Sequence, residues 1–327
     1  MILVTGGAGF IGAHLVSALE AADEPVIWVD AMREYYPTEL KTARVLDLGL
    51  KRVGPAQQID LATDGWQLLS DAPVTAVIHL AAQPGVRLPK AAYEDYERDN
   101  LVALANVLRF IRRLPGDPVL LTASSSSVYG GSRPPFVEDQ TKLAPTSYYG
   151  ETKLTGERMV ATFARDTGIR ALSMRFFTAY GPWGRPDMAY FRLAAAAATG
   201  GCFTLFGDGK IQRDFTFIDD IVSSVLRLLS HVRRLDAPSH EAVNIGGGRP
   251  VSIQEVIDRF ADLSGKSLDI RSVQADSRDA KITQADFSKL QALTGTSPQV
   301  DIVEGLERVW KWAMRDDVRS RLTGWVS

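Results

Sequence analysis

Through the first half of the chain, short runs of apolar and β-branched residues alternate with longer stretches of helical periodicity. The runs are "ILVT" from Ile2, "PVIWVD" from Pro25, "AVIHLAA" from Ala76 and "PVLLTAS" from Pro118. Between them the spacing predicts helices over about 11–22 and 93–113. Strands that are apolar throughout fit a parallel sheet covered on both faces, so the fold class expected is α/β, a doubly wound parallel (Rossmann) sheet. After Ala179 the rhythm breaks into loops, "YGPWGRPDMA" and "LFGDGKIQRDF", around the alanine-rich "RLAAAAAT". A helix over about 219–233 and the strand "EAVNIGG" are expected to rejoin the first sheet. The division expected is a Rossmann domain over 1–178 plus about 216–246, interleaved with a smaller substrate domain over about 179–215 plus 247–327.

The stretch "VTGGAGFIG" puts Gly7, Gly9 and Gly12 in G-x-G-x-x-G spacing after a strand and at a helix start, with Gly6 alongside. Such a turn lets backbone approach a pyrophosphate, and the helix N-terminus offers unpaired N–H groups. Asp30 ends the next strand about 18 residues past Gly12, near the spacing of a carboxylate that accepts from an adenosine ribose hydroxyl. It would repel a 2′-phosphate, which favours NAD over NADP; Arg33 nearby leaves NADP open.

Farther on, "SYYGETK" sets Tyr149 and Lys153 four apart on one face of a helix. An ammonium beside a phenol favours phenolate, so Lys153 is expected to lower the pKa of Tyr149 and make a base that works near neutral pH. The serine run of "TASSSSVYG" follows an apolar strand and precedes this pair. In a doubly wound sheet that places it at the carboxyl edge, where ligands bind, as the floor of an active site.

The charges nearly cancel, 37 basic against 39 acidic, so no field favours nucleic acid or a membrane surface. One cysteine excludes an internal disulfide framework and a cysteine-based zinc site, and the four histidines do not pair at ligand spacing, so no metal is expected. The first strand starts at the N-terminus without room for a cleavable signal, no apolar run approaches a span, and a cytoplasmic protein is the expectation. His79 reads as a strand-end packing residue, Cys202 as an inert buried thiol, and Met188 and Trp183 as residues that shape a loop by packing. Phe206 suits either stacking on a base or packing at a hinge.

Together "TGGAGFIG", "HLAAQPGVR", "SSSSVYG", "YYGETK", "RFFTAYGPWGRPDMA" and "RDFTFIDD" resemble the extended short-chain dehydrogenase/reductase family, in its nucleotide-sugar epimerase and dehydratase branch. The resemblance covers nearly the whole chain and is strongest to the branch that epimerises UDP-glucuronate at C4. It implies Tyr149 as base, Lys153 as its partner and ribose ligand, and Ser125 as the hydroxyl that relays or steadies the proton. It also implies a dinucleotide site from Thr5, Gly6, Gly7, Gly9, Phe10, Ile11, Gly12, Asp30, Arg33, Asp60, Leu61, Leu80, Ala81, Ala82 and Asn100. Substrate contacts implied are Gln83, Arg87, Ser126, Ser127, Thr178, Arg185, Phe206, Arg213 and Asp276, with Arg213 holding the diphosphate. A homodimer through the helices at about 93–113 and 146–165 is implied as well.

The function expected from the resemblance is conversion of UDP-glucuronate to UDP-galacturonate through a 4-keto intermediate, with a tightly bound NAD recycled in each turnover. Relatives that eliminate water carry Asp-Glu at the positions of Ser126-Ser127, and relatives that decarboxylate commonly carry Glu at Ser127; both carboxylates are missing here. Neutral donors Ser126, Ser127 and Thr178 are expected to hold the uronate carboxylate, with Arg185 fixing local geometry or simply ordering its loop. A neutral UDP-hexose 4-epimerase, a net dehydrogenase and a non-catalytic NAD-binding regulator remain as alternatives.

Overall fold

Residues 1–51, 58–63, 66, 69, 72–274 and 280–326 are described by a computed structural model. Along the chain, β1 (Ile2–Thr5) leads through a glycine turn into α1 (Phe10–Ala21), followed by β2 (Val26–Val29), α2 (Thr38–Asp47) and β3 (Ala76–His79). The expected helix at 93–113 is not uniform. It starts as α3 (Tyr93–Tyr96), widens into π-helical turns over Glu97–Val102 and closes as α4 (Ala103–Ile111). Next come β4 (Val119–Ser125), a 3₁₀ turn (Ser126–Tyr129), α5 (Tyr148–Thr167), β5 (Arg170–Phe176) and β6 (Thr178–Tyr180). The remainder is α6 (Ala189–Thr199), β7 (Cys202–Phe206), β8 (Gln212–Phe217), α7 (Ile218–Arg233), β9 (Ser239–Ile245), β10 (Pro250–Ser252), α8 (Ile253–Ser264), β11 (Asp269–Val273), α9 (Ser288–Thr294), α10 (Ile302–Ala313) and α11 (Asp316–Val326).

Six strands pair in the order β2-β1-β3-β4-β5-β9, every neighbour parallel. This is the doubly wound sheet that the apolar runs predict. Successive side chains divide between its two faces. Leu3, Val77, Leu120 and Ala171 join Val107 of α4 and Val160 of α5 in one core. Val4, Ile78, Leu121 and Leu172 join Val16 of α1 and Val225 of α7 in the other. Each such aliphatic side chain, taken out of water, contributes about 1.5–3 kcal/mol.

The chain leaves β1 toward β2 on one side and returns to β3 on the other, so a crevice opens between the β1 and β3 ends. Two small sheets stand over that edge: β10-β8-β6, and the parallel pair β11-β7. Cys202 lies exposed at the start of β7, contrary to the buried thiol expected, because it stands at an edge rather than within a core. Among the described residues, no helix is long and apolar enough to cross a membrane.

Candidate active site

A cavity of about 760 Å³ occupies the crevice, bounded by the glycine turn, the carboxyl ends of β3 and β4, the start of α5 and the loop after β6. The glycines meet different demands. A Cβ on Gly12 would stand 2.1 Å from the Gly6 carbonyl oxygen, so the turn closes only without one. Gly7 does not line the cavity; a Cβ there would strike the Trp28 side chain at 2.6 Å, which makes it a packing glycine. Gly9 caps α1 without a side-chain acceptor, and Phe10, Ile11 and Gly12 bring the first turn of that helix to the cavity. This is a backbone cradle at a helix N-terminus, the donor set that suits a pyrophosphate.

Asp30 is buried at the cavity wall, accepting from the Ala8 N–H at 3.2 Å and the Met32 N–H at 2.7 Å, with the Lys41 ammonium 3.6 Å away. Arg33 is turned to Asp60 (2.8 Å) and Asp99 (3.7 Å), and Arg98 pairs with Asp60 as well. Leu61, Leu80, Ala81, Ala82, Gln83 and Arg87 line the same cavity, whereas Thr5 and Asn100 lie behind it. The Thr5 hydroxyl bonds the His79 ring at 2.8 Å and accepts from the Ala81 N–H. Asn100 accepts from the Gln83 N–H at 2.8 Å, and its amide donates to the Gln83 carbonyl and to the Thr152 hydroxyl. Thr152 in turn donates to the Tyr149 carbonyl at 2.8 Å. Asn100, placed by the π-helical turns, therefore orders the site from outside it.

The four serines divide by their partners. Ser124 donates to Glu157 at 2.5 Å inside the protein, and Glu157 makes two bonds to Arg175, at 2.9 and 2.8 Å. Arg175 also donates to the Tyr129 hydroxyl, which donates to Asn244. All four serines, Ser124 to Ser127, line the cavity, with Ser127 accepting from Ser125 at 3.2 Å. Sequence reading missed the buried part of this run, since Glu157 and Arg175 sit far apart in the chain with no local signal.

Ser147 caps α5 by accepting the Gly150 N–H at 3.1 Å, and this fixes Tyr149 in the first turn, facing the cavity. Burial holds its phenol above the ordinary range; the Arg185 charge and a hydrogen bond with Ser125 pull it back. The Lys153 ammonium, 5.8 Å from the Tyr149 ring centre, donates to the Ala123 carbonyl at 3.1 Å, and burial drops its own pKa to about 8.

Arg185 forms a two-pronged pair with Asp187, at 3.0 and 2.5 Å, and Tyr35 donates to the same carboxylate. Thr178 and Phe206 also line the cavity, and the Arg87 guanidinium stands 4.5 Å from the centre of the Phe206 ring, covering one face. Arg213 faces the cavity while donating to the carbonyls of Gln212 and Ala280. Asp276 lies outside the described residues.

His79 is 5 % exposed and burial depresses its pKa to about 3. The unfolded chain then binds the extra proton between pH 6.5 and about 3, so stability present above 6.5 is lost as pH falls. We expect His79 to contribute about 2 kcal/mol of destabilisation between pH 6.5 and 5. Urea unfolding of the wild type and His79→Asn at both pH values checks this; equal pH slopes in the two proteins would contradict it.

Residues 2–246 match the NAD dependent epimerase/dehydratase family. The chain is 35% identical to a probable UDP-glucuronate 4-epimerase of Rhizobium meliloti, covering 98% of this chain and 99% of that one. It is also 35% identical to the UDP-glucuronate 4-epimerase of Thermodesulfobacterium geofontis, over 95% of both chains. The crystal structure of the Bacillus cereus UDP-glucuronic acid 4-epimerase, in complex with UDP-glucuronic acid and NAD, superposes with a TM-score of 0.84 at 34% identity, covering 95% of this chain and 98% of that one. With that match covering three-quarters of the chain, including the glycine cradle and Tyr149, the chain belongs to the NAD dependent epimerase/dehydratase family.

Proposed function

We propose that the protein converts UDP-glucuronate to UDP-galacturonate, using NAD and returning it unchanged. One observation carries the reading. Tyr149, Ser125 and the neutral hydroxyls of Ser126, Ser127 and Thr178 line the same cavity as the glycine cradle.

The cradle fits NAD: Gly12 leaves room for the turn, and the buried Asp30 carboxylate disfavours a 2′-phosphate. Gly6, Gly9, Phe10, Ile11, Gly12, Asp30, Leu61, Leu80, Ala81 and Ala82 would hold it, with Asp60 and Arg33 closing the adenosine end. When bound, NAD supplies reversible two-electron oxidation at the sugar's C4. Tyr149 takes the proton from the C4 hydroxyl and later returns it, and Ser125 steadies the oxygen as charge develops. Because burial raises the phenol's pKa, the Arg185 charge matters to its acidity in the ligand-free protein, while Lys153 serves the ribose.

A 4-ketouronate loses CO2 when its carboxylate bond aligns with the ketone. Ser126, Ser127 and Thr178 hold the carboxylate with uncharged donors, and Arg185, fixed by Asp187, shapes the wall beside it. Gln83, Arg87, Phe206 and Arg213 take the nucleotide end. Ser127→Glu is expected to raise release of pentose nucleotide by about tenfold relative to epimerised product, the effect of ~1.4 kcal/mol between two barriers. Mass analysis of the products checks it, and an unchanged ratio would remove Ser127 from this role.

The working division remains a Rossmann domain of 1–178 plus about 216–246 and a sugar-nucleotide domain formed by the rest. A homodimer through α4 and α5 is supported by the exposed Val102 and by a groove in which Leu108, Met159 and Phe163 lie among polar and charged residues. Sedimentation at micromolar concentration tests it, a monomer being the contrary result. The single cysteine suits a cytoplasmic setting.

The test of the activity is incubation with UDP-glucuronate and separation of the products by stereoisomer. UDP-galacturonate without growth of the reduced-nicotinamide absorbance supports the reading. Stoichiometric growth of that band would indicate a net dehydrogenase, and binding without conversion a regulator.

A further inference from the structure

Arg44 is fully buried on α2, yet among the described residues no carboxylate pairs with it. Its guanidinium donates instead to main-chain carbonyls from two distant segments: Ala8 at 2.7 Å, Trp183 at 2.6 Å and Gly184 at 3.0 Å. A fourth bond goes to the Tyr36 hydroxyl at 3.1 Å. Removing a charge from water without a counterion is costly, and packing alone would be met by a leucine. The planar fork of an arginine is suited to holding several acceptors at fixed directions.

Both segments bear on the site. Ala8 belongs to the glycine turn, and its N–H donates to Asp30. Trp183 and Gly184 precede Arg185 directly. Trp183 is held at φ +60°, a strained conformation for a bulky residue, and a Cβ on Gly184 would lie 1.7 Å from the Tyr190 hydroxyl. The Trp183 indole is anchored separately, donating to Asp47 at 2.6 Å and packing against Trp312. The loop therefore has one shape, and Arg44 ties that shape to the turn across the crevice.

We propose that Arg44 is a positioning residue: its clamp on Ala8, Trp183 and Gly184 makes occupancy of the glycine turn fix the loop that presents Arg185 to the sugar. The inference rests on the dinucleotide reading of that turn given above. A shift of the loop by about 1 Å would spoil the alignment of the sugar, an error that costs on the order of 100-fold in rate.

The test compares hydrogen exchange of the Trp183, Gly184, Arg185 and Asp187 amides in protein stripped of and loaded with NAD. Loading is expected to slow exchange there by about tenfold in the wild type and by less than about twofold in Arg44→Lys, while the glycine turn stays protected in both. Equal protection of the loop in the two proteins, or no NAD-dependent protection in the wild type, would overturn the proposal. If Arg44→Lys does not fold, Arg44→Gln, which is neutral and cannot span the three carbonyls, is measured in its place with the same two outcomes. With UDP-glucuronate, Arg44→Lys is expected to lose about 30- to 100-fold in kcat with KM changed less than about threefold. A wild type that binds NAD but does not epimerise speaks against the proposed activity only, since exchange needs no turnover.

Discussion

Tyr149→Phe is expected to fold, to bind NAD, and to lose turnover by about 10²- to 10⁴-fold, the range for removing a positioned acid–base group. The phenol is the group held in the cavity by the Ser147 cap, bonded to Ser125 and within the field of Arg185. Phenylalanine keeps the ring, so packing against Tyr96, with ring centres 5.9 Å apart, should survive. The loss should therefore fall on kcat, with nucleotide affinity changed little. Steady-state kinetics and a thermal unfolding curve check both parts, and a variant keeping more than about one-tenth of kcat would show that another group moves the proton.

Arg175→Met is expected to cost about 3–5 kcal/mol of stability, because it leaves the Glu157 carboxylate buried without its cation. The two side chains are 4 % and 7 % exposed, and the pair supports Ser124 on one side and the Tyr129 hydroxyl on the other. Tyr129 is itself pushed up to about 12, mainly by burial, so it stays a neutral donor to Asn244. Replacing both charged residues with apolar ones removes the orphaned carboxylate, so Arg175→Met with Glu157→Leu should be more stable than Arg175→Met alone. Urea unfolding of the three proteins decides. A single variant that costs less than about 1 kcal/mol, or a double variant less stable than the single, would contradict the account.

What local pattern carries was legible in the chain. The apolar runs gave five of the six parallel strands, β5 (Arg170–Phe176) not being among them, and the glycine spacing gave a turn whose closure Gly12 permits. Four-residue spacing put Tyr149 and Lys153 on one helical face, and the structure brings both to the cavity. Spacing says nothing of where a flexible side chain ends, however, and the Lys153 ammonium reaches the Ala123 carbonyl. The Arg185 charge, from a loop 36 positions away in sequence, also bears on the phenol, and no local spacing announces it.

Arg44 was missed for a related reason. Its acceptors are carbonyls, which leave no mark on residue type, and those of Trp183 and Gly184 lie 139 and 140 residues away. The one usable signal is its position four after Leu40, on the buried stripe of α2. The Glu157–Arg175 pair joins α5 to β5, and two charges inside apolar patterns give no hint that they meet. Cys202 shows the converse error, a small apolar-seeming residue at the exposed start of an edge strand.

In the proposed reaction C4 of the sugar is oxidised and reduced again within one closed site, with Tyr149 handling only the oxygen-bound proton. UDP-glucuronate deuterated at C4 should therefore give UDP-galacturonate that retains the deuterium at C4 in water, read by mass and proton spectra of the product. Replacement of that deuterium by solvent hydrogen would rule the reaction out.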